Sequence, residues 1–363
     1  MLRKHLSMSL FKTREKNAFH DGLIALIESE YPKAIELLTK AAEQNHHNGT
    51  AFLVLGDVYR IVGQPHRAIN IHEPLTLRSD LSKQEKIKVY TALGLDYEAA
   101  KDWKKATINY QKAVSLNGRD LNLQKNLFKA LKKLSRWEEA YSVWENILKQ
   151  DNTQPSHVLA YLEIRVAQTA QERKDNKTAE KKCRSALNLY PACVPARLLK
   201  GDLLAIAGKD EAAYGEWHQI IQNSPALAFL AFSRLEKNLF KKDHYDKMLD
   251  IYQEILQKCP QSKETHLALA DFWTKRGNFS EALSQLKEAR HIKPASPQIY
   301  SQLICLQIDQ GKYNAAKEEV EKLTSNCEET CWPYSCLNCG SKETEFFFEC
   351  PSCGEFETIN GYF

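Results

Sequence analysis

One short pattern recurs along most of this chain and limits the folds it can adopt. Four stretches that begin at Leu55, Leu93, Lys200 and Leu269 align, and each carries a small residue followed twelve positions later by an alanine. The same anchoring position, spaced 34 to 39 residues apart, is found at Ala34, Ala68, Ala106, Ala140, Ala179, Ala213, Met248, Ala282 and Ala316. A sustained period of this length is the signature of a repeat array, in which each unit completes its core against the next.

The period and the small residues resemble the tetratricopeptide repeat, a pair of antiparallel helices of about 34 residues. The pattern therefore predicts an all-α fold, a tetratricopeptide-repeat superhelix of about nine helix pairs. We expect glycine in the first helix of a pair to let the second helix approach closely, at Gly22, Gly56, Gly94 and Gly201. Pro74 falls within the second helix of repeat two and is predicted to kink or end it.

Composition narrows the function classes. The net charge of the 363-residue chain is only +4, which does not favour nucleic-acid binding. The sequence contains no apolar run long enough to span a bilayer and no secretory signal, so it predicts a soluble chain facing the cytosol, without a transmembrane helix. No HExxH or GxSxG motif is present, and His46-His47 and His72-Glu73 are interpreted as turn or helix-surface residues. The chain is therefore predicted not to be an enzyme.

The helical pattern stops near Cys327 and a different motif begins. Two C-x-x-C pairs, each followed by glycine, supply four candidate metal ligands: Cys336, Cys339, Cys350 and Cys353. Four thiolates with no open position are typical of a structural site, which predicts one structural metal ion, iron or zinc, held tetrahedrally by the four cysteines. The segments ETEFFFE and EFETI around the second pair are strand-like. Together these features predict a small C-terminal rubredoxin-like or zinc-ribbon β module.

These patterns divide the chain into a basic tail (1–14), a tetratricopeptide array (15–325) and a metal-binding domain (326–363). A domain of about 38 residues cannot bury enough core to fold alone, so metal binding is expected to supply the missing stability. Its aromatic residues exceed what so small a core needs, and we expect some of them to dock the module against the last repeats: Trp332, Phe346, Phe347, Phe348 and Phe356. Cys327 and Cys331 are interpreted as free thiols at the junction.

A lysine-rich helix face in repeat four is the candidate partner-binding surface. The first helix of each pair lines the concave face of such arrays. In repeat four that face is predicted to carry Asn122, Lys125, Lys129, Lys132 and Lys133. One interpretation is a basic stripe that holds an acidic peptide, and the alternative, which we favour, is a solvated helix face.

The union of a repeat array with the terminal segment YSCLNCG…FFFECPSCGEFETI resembles the lipopolysaccharide assembly protein B family, and residues 55–75 are similar to an early repeat of that family. The resemblance implies a non-enzymatic adaptor at the cytoplasmic face of the bacterial inner membrane. Family members help deliver the deacetylase that commits carbon to lipid A to a membrane-bound AAA+ protease. The resemblance also implies that the four cysteines bind the metal. The alternative is a generic tetratricopeptide scaffold with a structural metal cap and unrelated clients.

The chain departs from the family at its N-terminus, because the family usually begins with a transmembrane helix and this sequence has none. Either the gene start omits that helix or this relative is soluble. One interpretation is that MLRKHLSMSLFK lies on the membrane as a short basic amphipathic segment with Leu2, Leu6 and Leu10 on one face, which would give peripheral membrane association. The alternative is a disordered tail. The oligomeric state cannot be read from these patterns.

Overall fold

The computed structural model describes residues 18–44, 49–292, 297–325 and 334–362, which form two compact units. One unit ends at Leu162 and the other begins at Glu163, so each is described by itself. Several features discussed above lie outside the described residues: the basic tail, the His46-His47 pair, Cys327, Cys331 and Trp332. The predicted three-part division of the chain stays a prediction.

The first unit is built from helices that pack against their neighbours in chain order. Its helices are α1 (18–27), α2 (Tyr31–Gln44), α3 (Gly49–Ile61), α4 (Pro65–His72), α5 (Lys83–Ala99), α6 (Trp103–Leu116), α7 (Leu121–Lys133) and α8 (Trp137–Gln150). Helix α9 (His157–Glu172) begins in this unit and ends in the next. A 3-10 turn (Glu73–Leu77) follows α4, so the helix ends just before Pro74 and the prediction for that proline is confirmed.

The second unit continues the same alternation and ends in a small non-helical region. Its remaining helices are α10 (Asn176–Leu189), α11 (Val194–Ile206), α12 (Asp210–Asn223), α13 (Phe232–Phe240), α14 (Lys247–Lys258), α15 (Lys263–Lys275), α16 (Phe279–His291), α17 (Pro297–Asp309) and α18 (Tyr313–Ser325). A 3-10 helix (Pro225–Ala231) precedes α13 and completes the first arm of its pair. The described residues thus form nine helix pairs, and the predicted all-α tetratricopeptide fold class is confirmed.

The periodic small residues mark where two helices of a pair come into contact. All nine anchoring residues lie near the start of a second helix, and all are buried. A Cβ atom built at Gly56 would lie 2.3 Å from His72 Nε2, and one at Gly201 would lie 2.2 Å from Trp217 Nε1. Such distances are far inside van der Waals contact, so glycine is required where a large side chain of the second helix crosses the first. The predicted role of these glycines is confirmed.

His72 lies in the protein interior, whereas its sequence context predicted a turn or the surface of a helix. Its imidazole is completely buried rather than at a turn or helix surface. Nδ1 lies 2.6 Å from Asp96 Oδ2, and Nε2 lies 3.0 Å from the carbonyl oxygen of Leu53. The surface interpretation was therefore wrong for His72, because the residue falls four positions after the anchoring Ala68, where side chains turn into the helix contact.

The C-terminal region contains less strand than predicted. Strand β1 (Tyr334–Ser335) pairs antiparallel with β2 (Lys342–Glu343), and isolated bridges join Cys336 to Ile359 and Glu349 to Phe356. Most of the ETEFFFE segment forms no ladder, and its residues Phe346 and Phe348 pack against the helices. Among the helices in the described ranges, none is long and apolar enough to cross a membrane.

Candidate metal centre and its docking surface

Two knuckles with the same backbone hydrogen bonds carry the four cysteines. In the first, Gly340 N donates to Cys336 O at 2.9 Å, and in the second, Gly354 N donates to Cys350 O at 2.8 Å. Both glycines have a positive φ, 71° and 76°, which other residues adopt only with strain. Each C-x-x-C-G segment therefore folds into a tight turn that points two sulfur atoms at the opposite knuckle.

The four sulfur atoms form a compact cluster. All lie within 4.8 Å of one another, with Cys336 Sγ to Cys353 Sγ at 3.7 Å and Cys339 Sγ to Cys350 Sγ at 3.8 Å. A tetrahedral site with metal–sulfur bonds of about 2.3 Å requires sulfur–sulfur separations of about 3.8 Å. The arrangement fits a four-thiolate metal ion and could hold one. Tetrahedral sulfur coordination suits both zinc and iron.

Hydrogen-bond donors around the cluster favour the thiolate forms that a metal requires. Burial opposes ionisation of Cys336, yet the Thr358 hydroxyl and the backbone N–H groups of Cys339 and Asn338 leave its pKa lowered. The Ser341 hydroxyl and backbone lower the pKa of Cys339. Cys353 differs, because burial raises its pKa to about 11.

Aromatic rings attach the module to the helix pairs of its own unit. Phe346, Phe348 and Tyr362 pack against an apolar core formed by α11 to α15 and the intervening 3-10 helix. The ring of Phe229, in that 3-10 helix, lies 5.5 Å from the ring of Phe346 and 6.0 Å from that of Tyr362. Edge-to-face aromatic contacts of this kind add to the free energy of apolar burial. The predicted docking role is supported for Phe346.

Polar contacts fix the orientation of the docked module. Arg165 of α9 forms an ion pair with Glu349 at 2.8 Å, and Tyr362 Oη donates to Glu264 Oε1 at 2.5 Å. Burial, followed by the charge and hydrogen bond of Glu264, raises the pKa of Tyr362. These partners lie on the first helices of pairs five and eight. The module therefore docks on the first-helix face of the second unit, whereas the sequence predicted the last repeats.

Two proteins that share one name are similar to this chain over most of its length. Lipopolysaccharide assembly protein B of Haemophilus influenzae is 23% identical over 354 residues, covering 93% of this chain and 87% of that protein. The protein of the same name from Escherichia coli K12 is 21% identical over 343 residues, with the same coverage of both chains. The predicted resemblance to lipopolysaccharide assembly protein B is confirmed. No protein-family model matches the chain.

Solved structures similar to this chain include repeat proteins of low identity. A tetratricopeptide repeat protein from Parabacteroides merdae is 11% identical, covers 81% of this chain and 99% of its own, and has a TM-score of 0.37. MamA MSR-1 is 20% identical, covers 48% of this chain and 96% of its own, and has a TM-score of 0.36.

The five residues of α7 that were predicted to bind a partner differ in their surroundings. Lys129 pairs with Glu98 at 2.5 Å, and the ammonium group of Lys132 lies 5.3 Å from the centre of the Phe128 ring. Lys125 and Lys133 are exposed, and Asn122 lines a cavity beside α5. The five residues share one helix, but two of the four lysines already have partners within the protein. Their role in partner binding stays a prediction.

Sequence reasoning missed the helix residues that receive the module. Arg165, Phe229 and Glu264 lie in three different repeats, and no local motif distinguishes them from other surface residues of their helices. The one available signal was the surplus of aromatic residues in the module. That surplus indicated a docking face without indicating where on the array it would rest.

Proposed function

We propose that this chain is a non-enzymatic adaptor that regulates lipopolysaccharide biosynthesis at the cytoplasmic face of the inner membrane. It would present the deacetylase that commits carbon to lipid A to a membrane-bound AAA+ protease, so that synthesis is limited by proteolysis. The observation that carries this proposal is similarity to two lipopolysaccharide assembly proteins B over 93% of the chain. The tetratricopeptide fold supports the adaptor role, because stacked helix pairs expose extended surfaces suited to protein ligands.

In this proposal the metal centre is structural. Cys336, Cys339, Cys350 and Cys353 would hold one iron or zinc ion, which leaves no coordination position for a substrate. The ion would keep the two knuckles together and so hold Phe346, Tyr362 and Glu349 against the helices. Loss of the ion would therefore change the surface of the second unit as well as the module.

The proposal is tested by identifying the partners of the intact protein. The chain would be tagged at its C-terminus, expressed in its source bacterium and purified from gently solubilised membranes, and the co-purifying proteins identified by mass spectrometry. We expect the membrane protease or the lipid A deacetylase among them. A Cys336→Ser/Cys339→Ser variant is expected to lose both, whereas Cys305→Ser, in an exposed cysteine of α17, should keep them.

A second measurement separates adaptor function from mere association. Depletion of the protein should raise the steady-state level of the deacetylase, and wild-type protein should restore it. Enrichment of unrelated clients, with an unchanged deacetylase level, would overturn the proposal in favour of a generic repeat scaffold.

A further inference from the structure

A cavity of about 500 Å³ lies in the crevice between helix pairs six and seven, within the second unit. Residues from the end of α11, from α12 and from the end of α13 line it. Its volume falls within the range of about 300–1,000 Å³ that is typical of small-molecule sites. The cavity is therefore large enough for a ligand, and its lining decides which chemistry that ligand needs.

Two buried polar atoms on the cavity wall have no hydrogen-bond partner among the described residues. They belong to Trp217, whose Nε1 is a donor, and to Asn238, whose Oδ1 is an acceptor. These residues are only 4% and 3% exposed. The amide nitrogen of Asn238 already donates to Asp210 O at 3.0 Å. Because a buried polar atom without a partner costs free energy, the two atoms indicate a bound group that accepts one hydrogen bond and donates another.

Helix pairs two and three show how the same repeat positions are satisfied elsewhere in the chain. His72 and Trp217 each lie four residues after the anchor of their pair. Asp96 and Asn238 each lie ten residues before the anchor of the following pair. His72 bonds directly to Asp96 at 2.6 Å, whereas Trp217 Nε1 and Asn238 Oδ1 remain unpaired beside the cavity. The polar contact that joins pairs two and three is thus interrupted between pairs six and seven.

The interruption coincides with the loss of one long side chain. Arg60, eight residues before the anchoring Ala68, donates to Asp96 at 2.8 Å and so completes the network of pairs two and three. The residue eight positions before the anchoring Ala213 is Ala205, which lines the cavity. An alanine cannot occupy the volume of a guanidinium group. The space that an arginine takes up in pair two is therefore open in pair six.

The charged groups on the cavity wall favour an anion. Three cations and two carboxylates line the cavity, which gives a net charge of +1. Arg234 donates twice to Asp202, at 2.6 and 2.8 Å, and Lys241 lies 3.7 Å from Asp210. Lys237 is exposed and has no ion-pair or hydrogen-bond partner among the described residues. Its ammonium group is left to pair with a negative group of a ligand.

We propose that this cavity binds a small hydroxylated anion of the sugar monophosphate class. One hydroxyl group of the ligand accepts from Trp217 Nε1 and donates to Asn238 Oδ1, because a hydroxyl is both an acceptor and a donor. The phosphate pairs with Lys237, and the C–H surface of the ligand lies against Ile206, which is 64% exposed. The inference goes beyond the proposed adaptor function and adds a small-molecule ligand to the second unit.

The test measures binding of three probes to the full-length metal-loaded protein by isothermal titration calorimetry: glucose 6-phosphate, glucose and inorganic phosphate. We expect glucose 6-phosphate to bind at least about tenfold more tightly than the other two, because each of them lacks one of the recognised groups. A proton–nitrogen correlation NMR spectrum reports on the orphaned donor. The Trp217 indole N–H signal, identified by its loss in Trp217→Phe, should shift when glucose 6-phosphate is added.

A cavity-filling variant tests the location of the site. Ala205→Arg gives pair six the residue type that pair two has at Arg60. It should weaken binding of glucose 6-phosphate by at least about tenfold although it adds a positive charge, so that charge repulsion cannot explain the loss. Ala207→Arg is the matched control, because Ala207 is exposed and does not line the cavity. Lys237→Ala should weaken binding of glucose 6-phosphate and leave that of glucose unchanged.

Thermal unfolding checks the folding of each variant, and Ala205→Leu replaces Ala205→Arg if the arginine destabilises the protein. Several results would overturn the inference: equal affinity for the three probes, tighter binding of inorganic phosphate than of glucose 6-phosphate, or no binding at all. An unshifted Trp217 indole signal, or wild-type affinity in the folded cavity-filling variant, would do the same.

Discussion

The imidazole of His72 lies 2.6 Å from the carboxylate of Asp96, and neither side chain has any exposed surface. The other ring nitrogen of His72 faces the Leu53 carbonyl, which can only accept, so that nitrogen carries a hydrogen. The second oxygen of Asp96 accepts from Arg60 at 2.8 Å. Burial disfavours the Arg60 cation, but Asp96 and Asp57 outweigh burial and raise its pKa. This network of hydrogen bonds joins repeats two and three.

Replacing Asp96 should therefore cause a large loss of unfolding free energy. Asp96→Ala leaves His72 and Arg60 without their shared acceptor, and breaking a buried charge pair in this way costs about 3–5 kcal/mol of unfolding free energy. Urea denaturation measures the loss. Asp57→Ala removes the half-exposed partner of the same arginine and is expected to cost less than about 1 kcal/mol. Similar losses in the two variants would contradict the importance assigned to the buried network.

Two glycines in neighbouring helices should respond in opposite ways to alanine. A Cβ at Gly201 would overlap the indole of Trp217, so we expect Gly201→Ala to destabilise the fold by about 1–3 kcal/mol. Gly215, inside α12, has open space around it, and Gly215→Ala should stabilise the helix by about 0.5–1 kcal/mol. Thermal unfolding of both variants measures these changes in stability. Stabilisation by Gly201→Ala would show that the indole can move aside.

Metal removal should unfold the C-terminal module and leave the helix pairs folded. We expect about one equivalent of zinc or iron per chain by elemental analysis, and its loss on treatment with a strong chelator. Structural zinc in small domains contributes an apparent free energy of about 10–16 kcal/mol, so residues 334–362 should become protease-sensitive without it. Cys350→Ser should lose the metal, whereas Cys305→Ser should keep it. Full metal content in Cys350→Ser would exclude the four-thiolate site.

Docking of the module should depend on Phe346. Its ring contacts Phe229, Phe348 and Tyr362, so Phe346→Ala is expected to weaken docking by about 2 kcal/mol while the metal stays bound. Hydrogen exchange of the Glu357 amide, which donates to Phe348 O within the module, reports loosening of the segment that carries Phe346. Leu337→Ala, at a side chain that is 63% exposed, is the control. Unchanged exchange in Phe346→Ala would place the docking energy elsewhere.

Alkaline pH should loosen the same interface. Burial, and then the charge of Glu357, raises the pKa of Tyr190 to about 12. A pKa raised above its unfolded value of about 10 stabilises the folded state fully below pH 10, and that contribution is lost as pH rises from about 10 to 12. Absorbance at 295 nm and urea denaturation across this range follow the change. Tyr190→Phe should flatten this part of the stability profile, and an unchanged profile would contradict the assignment.

Local sequence patterns were enough to predict the repeat architecture and the cluster of four cysteines. The anchoring alanines follow the period of paired helices, and each glycine of a first helix contacts the large side chain that lies four residues after the anchor. The spacing Cys336-x2-Cys339 and Cys350-x2-Cys353, each pair followed by a glycine, likewise predicts two tight turns locally, and their four sulfur atoms could hold a metal ion. Both features depend on residues close together in the chain.

Contacts between residues far apart in the chain became visible only in the folded molecule. Arg165 meets Glu349 across 184 positions, and Phe229 meets Tyr362, although neither pair is marked by any local pattern. The acceptor of His72, Asp96, also lies in the next repeat, 24 positions along the chain. Repeat periodicity specifies how each helix packs against its neighbours. Side chains that are brought together only when the helix pairs stack determine which exposed face receives the module. They also determine which face is left open as a cavity.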